Sequence, residues 1–181
     1  LAANRSLNHN NVPGDMLQLS ELHHFLGQKE KALDILHDVS TYYKANPRWT
    51  LEAEALKAYL ENTPEAFPTL LHRAKPWEHS LQQRVQFFWA RTLRASSARQ
   101  ALEVLENIDN PWAKIEKSLA AKSLHYKEAL DILGDIPKKS EIMELRLYHQ
   151  AARFEITGAE EDLNALLGLT TSREKVLPAL L

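Results

Sequence analysis

KALDILHDV, at residues 31–39, recurs in altered form four more times along this chain and decides its fold. The other copies are EAFPTLLHR (65–73), QALEVLENI (100–108), EALDILGDI (128–136) and EDLNALLGL (161–169). The second residue of each copy is a convenient marker, and the markers are Ala32, Ala66, Ala101, Ala129 and Asp162. Their spacing is nearly regular, with one shorter step from Ala101 to Ala129. A period of about 34 residues with helical apolar spacing predicts stacked helix pairs, the arrangement called an α-solenoid.

The apolar residues inside the copies fall on one helical face. In the first copy Ala32, Leu36 and Val39 are spaced i, i+4, i+7, and the copies at 100–108 and 128–136 keep this spacing. Such a stripe is typical of a helix that packs against a neighbour, and the small alanine allows two helix axes to approach closely. We therefore expect this face of these three copies to be buried.

A second predicted helix precedes each copy. Gly27 is a predicted helix stop, and Asn46-Pro47 and Asn110-Pro111 are predicted helix starts. We therefore expect a flexible lead-in over 1–12 and a single helical-repeat domain over 13–181. Its expected repeats are about 13–46, 47–75, 76–109, 110–137 and 138–170, followed by a C-terminal helix over 171–181.

Composition narrows the classes of function. The 181 residues carry a formal charge of −2, which gives no global attraction to nucleic acid or anionic lipid. No apolar run reaches the roughly 20 residues that a membrane-spanning helix needs. The chain has no cysteine, which is compatible with both cytoplasm and periplasm and excludes thiolate metal ligands. We expect no nucleic-acid partner and no membrane insertion.

Motifs for catalysis are missing from the sequence. Glu21 and His24 form one Glu-x-x-His step, whereas a di-metal helical site needs two such steps and two further carboxylates. No glycine-rich phosphate loop, GxSxG or HExxH motif occurs. Neighbouring carboxylates such as Glu52 and Glu54 are interpreted as solubilising residues. We expect no cofactor, no metal and no enzymatic activity; the alternative of a helical enzyme predicts ionisable groups that converge in a closed cavity.

The pattern resembles the tetratricopeptide repeat, a helix-turn-helix unit of similar period. The resemblance covers about residues 13–169 and rests on small-then-large pairs and on two residues before repeated helices: Ala32/Leu36, Ala66/Leu70, Ala101/Leu105, Ala129/Leu133, Gly27 and Tyr126. It implies an all-α fold, a right-handed superhelix of about five antiparallel helix pairs. It also implies that the first helices line a concave groove that holds a peptide or helix of a partner protein.

Several positions depart from the family pattern. The family keeps a small residue inside the first helix of each unit, and the corresponding places hold Ser20, Glu54, Trp89, Lys117 and Gln150. Asp162 replaces the last marker alanine, Arg73 interrupts the apolar face of the second copy, and Pro68 threatens its helix unless that helix starts late. The chain is thus either a degenerate array or another helical-hairpin solenoid of similar period. Trp89 either separates two helices or faces the groove.

Residues 72–100 hold six lysines and arginines against one acid, Glu78. Arg84, Arg91 and Arg94 share a predicted helical face near Phe87, which favours an arginine stripe for an acidic peptide or a phosphate. The competing interpretation is that stacked helices pair these arginines with acids of the same chain.

We predict a non-catalytic interaction module that binds a protein or peptide segment, with an acidic segment among the candidates. The predicted partner-binding residues are Arg48, Leu51, Gln83, Arg84, Gln86, Arg91, Arg94, Lys114, Leu147 and Phe154. The alternative is a regulatory or superhelical domain of a larger protein, such as a transcriptional regulator or a cell-wall enzyme. The start at Leu1, in place of methionine, favours that alternative and suggests a fragment or a processed product.

Overall fold

The computed structural model describes residues 12–74, 79–135 and 143–174, and throughout these ranges the chain forms helices and turns without a strand. The predicted all-α class is therefore confirmed. The chain is divided into two compact units, Leu1–Thr92 and Leu93–Leu181. In the described ranges, no helix is long and apolar enough to cross a membrane.

The helices of the first unit are α1 (Val12–Phe25), α2 (Lys29–Tyr42), α3 (Pro47–Glu61), α4 (Phe67–Ala74) and α5 (His79–Arg94), with a short 3-10 turn at Pro64–Ala66. The last two residues of α5 belong to the second unit. The further helices of that unit are α6 (Ala98–Leu105), α7 (Pro111–Ser123), α8 (Ala129–Leu133), α9 (Met143–Thr157) and α10 (Glu160–Glu174).

Sequential hairpin packing builds the first unit. Helix α1 packs against α2 and α3, α2 packs against α3, and α3 packs against α4. The predicted stripe of Ala32, Leu36 and Val39 is at most 1% exposed, so this expectation is confirmed. The Ser20 hydroxyl on α1 donates a hydrogen bond of 2.9 Å to the backbone carbonyl of Ala32 on α2. Small residues on both helices therefore allow the close approach that the repeat pattern predicts.

Sequential helices also pack against one another in the second unit, which has its own hydrophobic core. Helix α7 packs against α6, α8 and α9, and α9 packs against α8 and α10. Its core cluster is Ile115, Leu119, Leu133, Leu145 and Ala152. The predicted stripe residues of this unit are also buried: Ala101, Leu105, Ile108, Ala129 and Leu133.

The predicted helix ends are confirmed. Helix α1 ends at Phe25, and Gly27 follows with φ of +73°, where its N–H and that of Gln28 bond back to the last turn. Glycine adopts this left-handed conformation without the steric cost of a Cβ atom. Asn46 and Asn110 each cap a helix that begins with proline, and their side chains accept hydrogen bonds from backbone N–H groups.

Pro68 is accommodated because α4 starts late. A 3-10 turn at Pro64–Ala66 precedes the helix, which begins at Phe67, so Pro68 is its second residue. An N–H in the first turn has no intrahelical acceptor, and its loss there costs no helical hydrogen bond. Arg73, which interrupts the apolar face of this copy, forms a two-pronged ion pair with Glu54 on α3. Two departures from the family pattern thus compensate each other.

Trp89 and Lys117 also find specific partners. The Trp89 ring is half-buried and stacks on Phe67 of α4, with centroids 6.3 Å apart and planes 5° from parallel. It therefore faces a neighbouring helix of its own unit. The Lys117 ammonium donates to the backbone carbonyls of Glu106 and Ile108, where the chain leaves α6. A long cation is useful here because it satisfies carbonyls at a helix end.

Asp162 and Gln150, two more departures, bond to each other. The Gln150 amide nitrogen on α9 donates to the Asp162 backbone carbonyl at 3.1 Å and to its carboxylate at 3.2 Å. Arg153 Nε donates to the same carboxylate at 2.8 Å, and the Thr157 hydroxyl donates at 2.6 Å. Polar bonding therefore joins α9 to α10.

Replacing Asp162 by alanine is expected to lower the free energy of unfolding by about 2 kcal/mol, because charge-assisted hydrogen bonds from Arg153, Gln150 and Thr157 are lost. Urea denaturation followed by circular dichroism measures the loss. Glu161→Ala is the matched control in the same helical turn, and we expect it to change stability by less than about 0.5 kcal/mol. Equal losses in the two variants would contradict the bonding of Asp162.

The stability difference between wild type and Asp162→Ala is also expected to depend on pH. The hydrogen bond from Thr157, with those from Arg153 and Gln150, lowers the pKa of Asp162 against the opposing effect of burial. A depressed carboxyl pKa stabilises the folded state above the unfolded-state pKa, and this stability is lost as the pH falls through the folded-state pKa. The stability difference between wild type and Asp162→Ala is therefore expected to be constant near neutral pH and to shrink below about pH 4.

Some expectations fall outside the described residues. Helix α1 begins at Val12, and residues 1–11 of the expected lead-in lie outside the described ranges. The same holds for Ile136 and for the side chain of Leu147. Helix α10 continues to Glu174, so residues 171–174 of the expected C-terminal helix belong to α10.

Candidate functional site

Charged side chains from three helices of the first unit meet on one surface. Helix α1 contributes Glu21, α3 contributes Arg48 and Glu52, and α5 contributes Arg84 and Arg91. Arg48 Nε lies 3.5 Å from one carboxylate oxygen of Glu52, and Arg84 Nε lies 3.5 Å from the other. Arg84 also reaches Glu21, with 3.9 Å between nitrogen and oxygen. We call these five residues the charged face.

The charged face is layered. The side chains of Arg48 and Arg84 are 43% and 38% exposed, whereas those of Glu21 and Glu52 are 23% and 8% exposed. Each arginine thus extends toward solvent over a more deeply placed carboxylate. The burial of Glu52 corrects the interpretation of this residue as a solubilising one. Because burying an unpaired carboxylate is costly, the two arginines beside Glu52 make its position tenable.

Glu21 is placed at an energetic cost. Burial raises its pKa, and the nearby Glu52 acts in the same direction, while Arg84 and then Arg91 lower it. The net direction is upward, so desolvation outweighs the attraction of the two arginines. The surroundings of Glu21 therefore tolerate its negative charge less well than water does.

Aromatic rings surround Arg91. Its guanidinium lies 4.9 Å from the ring centroid of Tyr59 and 5.7 Å from that of Phe87, within the range of a cation–π contact. Tyr59 in turn stacks on the buried Phe88 at 6.0 Å and meets the edge of His24 at 5.6 Å. Rings from α3 and α5 thus contact Arg91, and a ring from α1 packs behind Tyr59.

His24 lies beside this cation. Burial lowers its pKa, and the positive charges of Arg91 and Lys29 lower it further. A lowered pKa favours the neutral imidazole, and the ring of His24 adds an aromatic edge beside Tyr59.

The structure brings together part of the predicted binding set. Arg48, Arg84 and Arg91 lie on the charged face, with the half-buried Gln83 and Gln86 on the same helix as the last two. Gln83 Nε2 lies 2.9 Å from His79 Nε2, one turn earlier on α5. In contrast, Leu51 is only 2% exposed and belongs to the hydrophobic core of the unit. Leu51 is therefore a core residue and not part of an accessible surface, which corrects its assignment.

The remaining predicted residues belong to the second unit. Arg94 Nε pairs at 3.2 Å with Glu116, whose side chain is 4% exposed. The exposed Lys114 pairs with Asp109 at 3.3 Å, and Phe154 is half-buried on α9. The expected arginine stripe is thus divided between two units, and both Arg84 and Arg94 have intramolecular acidic partners. The ion pairs within the chain that the competing interpretation predicts are therefore present at these two residues.

Sequence reasoning left out residues that organise the site. Glu52 carries one local signal, since Arg48 stands four residues before it on the same helical face. Tyr59 gives no such signal, because its partners Arg91, Phe88 and His24 come from two other helices. Only the packing of α1, α3 and α5 places these groups together.

The side chains of this surface are suited to charge-assisted hydrogen bonding. In the described part of the chain, no group of three or more histidine, aspartate or glutamate side chains is arranged to hold a metal ion. The charged face offers guanidinium groups, which donate paired hydrogen bonds to carboxylates. The rings of Tyr59 and Phe87 contact one of these groups, that of Arg91.

Comparison with known proteins gives no match. No family model matches the chain, and no curated protein and no solved structure is significantly similar to it.

Proposed function

We propose that this chain is a non-catalytic interaction module that binds a peptide or helix of a partner protein on the charged face. The observation that carries the proposal is the convergence of α1, α3 and α5 on one surface with partly exposed arginines above buried carboxylates. Arginines that are fixed in place by their own chain lose less side-chain entropy when a partner binds. Arginine and aromatic residues are also the side chains that most often dominate binding energy at protein interfaces.

The proposed architecture is a degenerate array that resembles tetratricopeptide repeats. In its favour, each next-but-one pair α1–α3 and α7–α9 is in contact within its own unit, as the first helices of successive hairpins are in such arrays. Bonded pairs at family positions, Ser20 with Ala32 and Gln150 with Asp162, also support the repeat register. In that register α1, α3 and α5 are first helices of successive hairpins, which is where this family binds its partners.

Selection from a display library of random peptides tests the proposed function. We expect the purified chain to enrich peptides whose binding weakens about five-fold or more in Arg84→Gln, because a charged donor is lost from the interface. Fluorescence polarisation with labelled copies of the enriched peptides measures the dissociation constants. Circular dichroism shows that each variant is folded.

Arg73→Gln is the matched control for this experiment. Arg73 is 46% exposed and pairs with a glutamate of α3, as Arg84 does, but it lies outside the charged face. We expect Arg73→Gln to change the dissociation constants by less than about two-fold. Failure to enrich any peptide, or binding that is indifferent to Arg84→Gln, would refute the proposed function at this surface.

A further inference from the structure

We infer that the charged face recognises an acidic segment of its protein partner, whose aspartate and glutamate carboxylates bind Arg48 and Arg84. This inference rests on the proposed function and adds the chemistry of the occupant. It concerns the first unit alone.

The charges of this face are arranged in two layers, from the interior outward. The carboxylates of Glu21 and Glu52 are the deeper layer, and the guanidinium groups of Arg48 and Arg84 are the outer layer. Arg91 adds a third positive charge between two aromatic rings. Three of the five residues of the charged face are arginines, and the sequence of α5 from His79 to Arg94 contains no acidic residue. A partner therefore meets cations first.

Glu52 lies between two arginines of this face. Its two carboxylate oxygens each lie 3.5 Å from a different arginine, Oε1 from Arg48 and Oε2 from Arg84. Two like charges this close repel each other unless an opposite charge lies between them. The 8% exposed Glu52 thus holds a pair of guanidinium groups side by side at the surface. Such a pair matches neighbouring carboxylates on an acidic peptide.

Arg84 is positioned by its two glutamates without a short hydrogen bond to either of them. Charge-assisted hydrogen bonds between a guanidinium and a carboxylate are about 2.7–2.9 Å long. The distances from Arg84 to Glu52 and Glu21 are 3.5 and 3.9 Å. A guanidinium has five N–H donors in a planar fork, so a partner carboxylate can approach Arg84 more closely than either glutamate does.

Peptides from the selection described above provide the first test. We expect aspartate and glutamate to be enriched over the starting library and lysine and arginine to be depleted. The most enriched acidic peptide, labelled with fluorescein, is then titrated into wild type, Arg48→Gln, Arg84→Gln and Arg73→Gln. We expect each of the first two variants to bind about ten-fold more weakly, and Arg73→Gln to bind as wild type does.

Glu21→Gln gives an independent readout in a variant that keeps every arginine. It removes a carboxylate that competes for Arg84, so the acidic peptide is expected to bind about two- to five-fold more tightly. Raising the salt concentration from about 50 to about 300 mM is expected to weaken binding to wild type, because partly exposed charges are screened.

The outcomes separate the two proposals. Enriched peptides that lack acidic residues but depend on Arg84 would overturn this inference and leave the proposed function standing. Acidic peptides that lose as much affinity in Arg73→Gln as in Arg84→Gln would overturn it too, as would weaker binding to Glu21→Gln. A single-stranded oligonucleotide of equal charge is the last probe, and equal affinity for it at this face would replace the acidic protein segment by a nucleic acid.

Discussion

Replacing Phe88 by alanine is expected to lower the free energy of unfolding by about 4 kcal/mol, because a fully buried aromatic side chain leaves a cavity in a packed core. Phe88 is 1% exposed, stacks on Tyr59 of α3 and lies under the guanidinium of Arg84 at 5.4 Å. It therefore joins α5 to α3 directly beneath the charged face. Urea denaturation monitored by far-UV circular dichroism measures the loss.

Phe87 is the matched control for that variant. It is the adjacent residue on α5, of the same size, and is only half-buried, with its ring against Phe88 and Arg91. We expect Phe87→Ala to cost about half as much as Phe88→Ala, since less apolar surface is removed from the core. The reverse order of the two losses would show that the opposite face of α5 packs against the unit.

Reversing the charge of Arg84 to glutamate is the second large effect that we expect. The new carboxylate would lie beside Glu21 and Glu52, which are both less exposed than Arg84 itself. Leaving buried carboxylates without their cation and adding a like charge is strongly destabilising, but Arg84 is 38% exposed and solvent screens part of the effect. We expect a loss of about 2 kcal/mol in the free energy of unfolding, measured by urea denaturation at low salt.

Two further variants assign that loss to its cause. Gln83→Glu introduces the same charge one residue earlier on α5, and we expect it to change stability by less than about 0.5 kcal/mol. The charge swap Arg84→Glu with Glu21→Arg restores opposite charges between α1 and α5 and is expected to recover part of the loss. Recovery is incomplete because the new carboxylate on α5 still lies beside Glu52, and because the new arginine lies near Arg91, whose charge acts on Glu21. A swap no more stable than Arg84→Glu alone would contradict the pairing of these helices.

Much of the fold could be predicted because its signals are local. Burial of Ala32, Leu36 and Val39 follows from their spacing along one helix, whatever the helix packs against. The stop at Gly27 and the cap at Asn46 are likewise set within a few residues. Each of these predictions needed no knowledge of which helices become neighbours.

The partners of the less regular positions could not be predicted in this way. Glu54 with Arg73 and Trp89 with Phe67 are pairs whose members lie on different helices, far apart in the sequence, and meet only after those helices have packed. The residue type alone favoured a solvated carboxylate for Glu54. For Trp89 it left two interpretations open, a residue that faces the groove or one that separates two helices. What each side chain does depends on the residue that the next helix places opposite it.

The candidate site divides in the same manner. Helix formation, the recurrence of one short segment and the excess of cations over acids between residues 72 and 100 can all be seen in the sequence alone. Only the tertiary structure decided that Glu52 is buried, that Arg84 lies between two glutamates and that Leu51 belongs to the core. The physical reason is range: helical periodicity arises from neighbours one turn away, whereas the charge environment of a side chain arises from every helix packed around it.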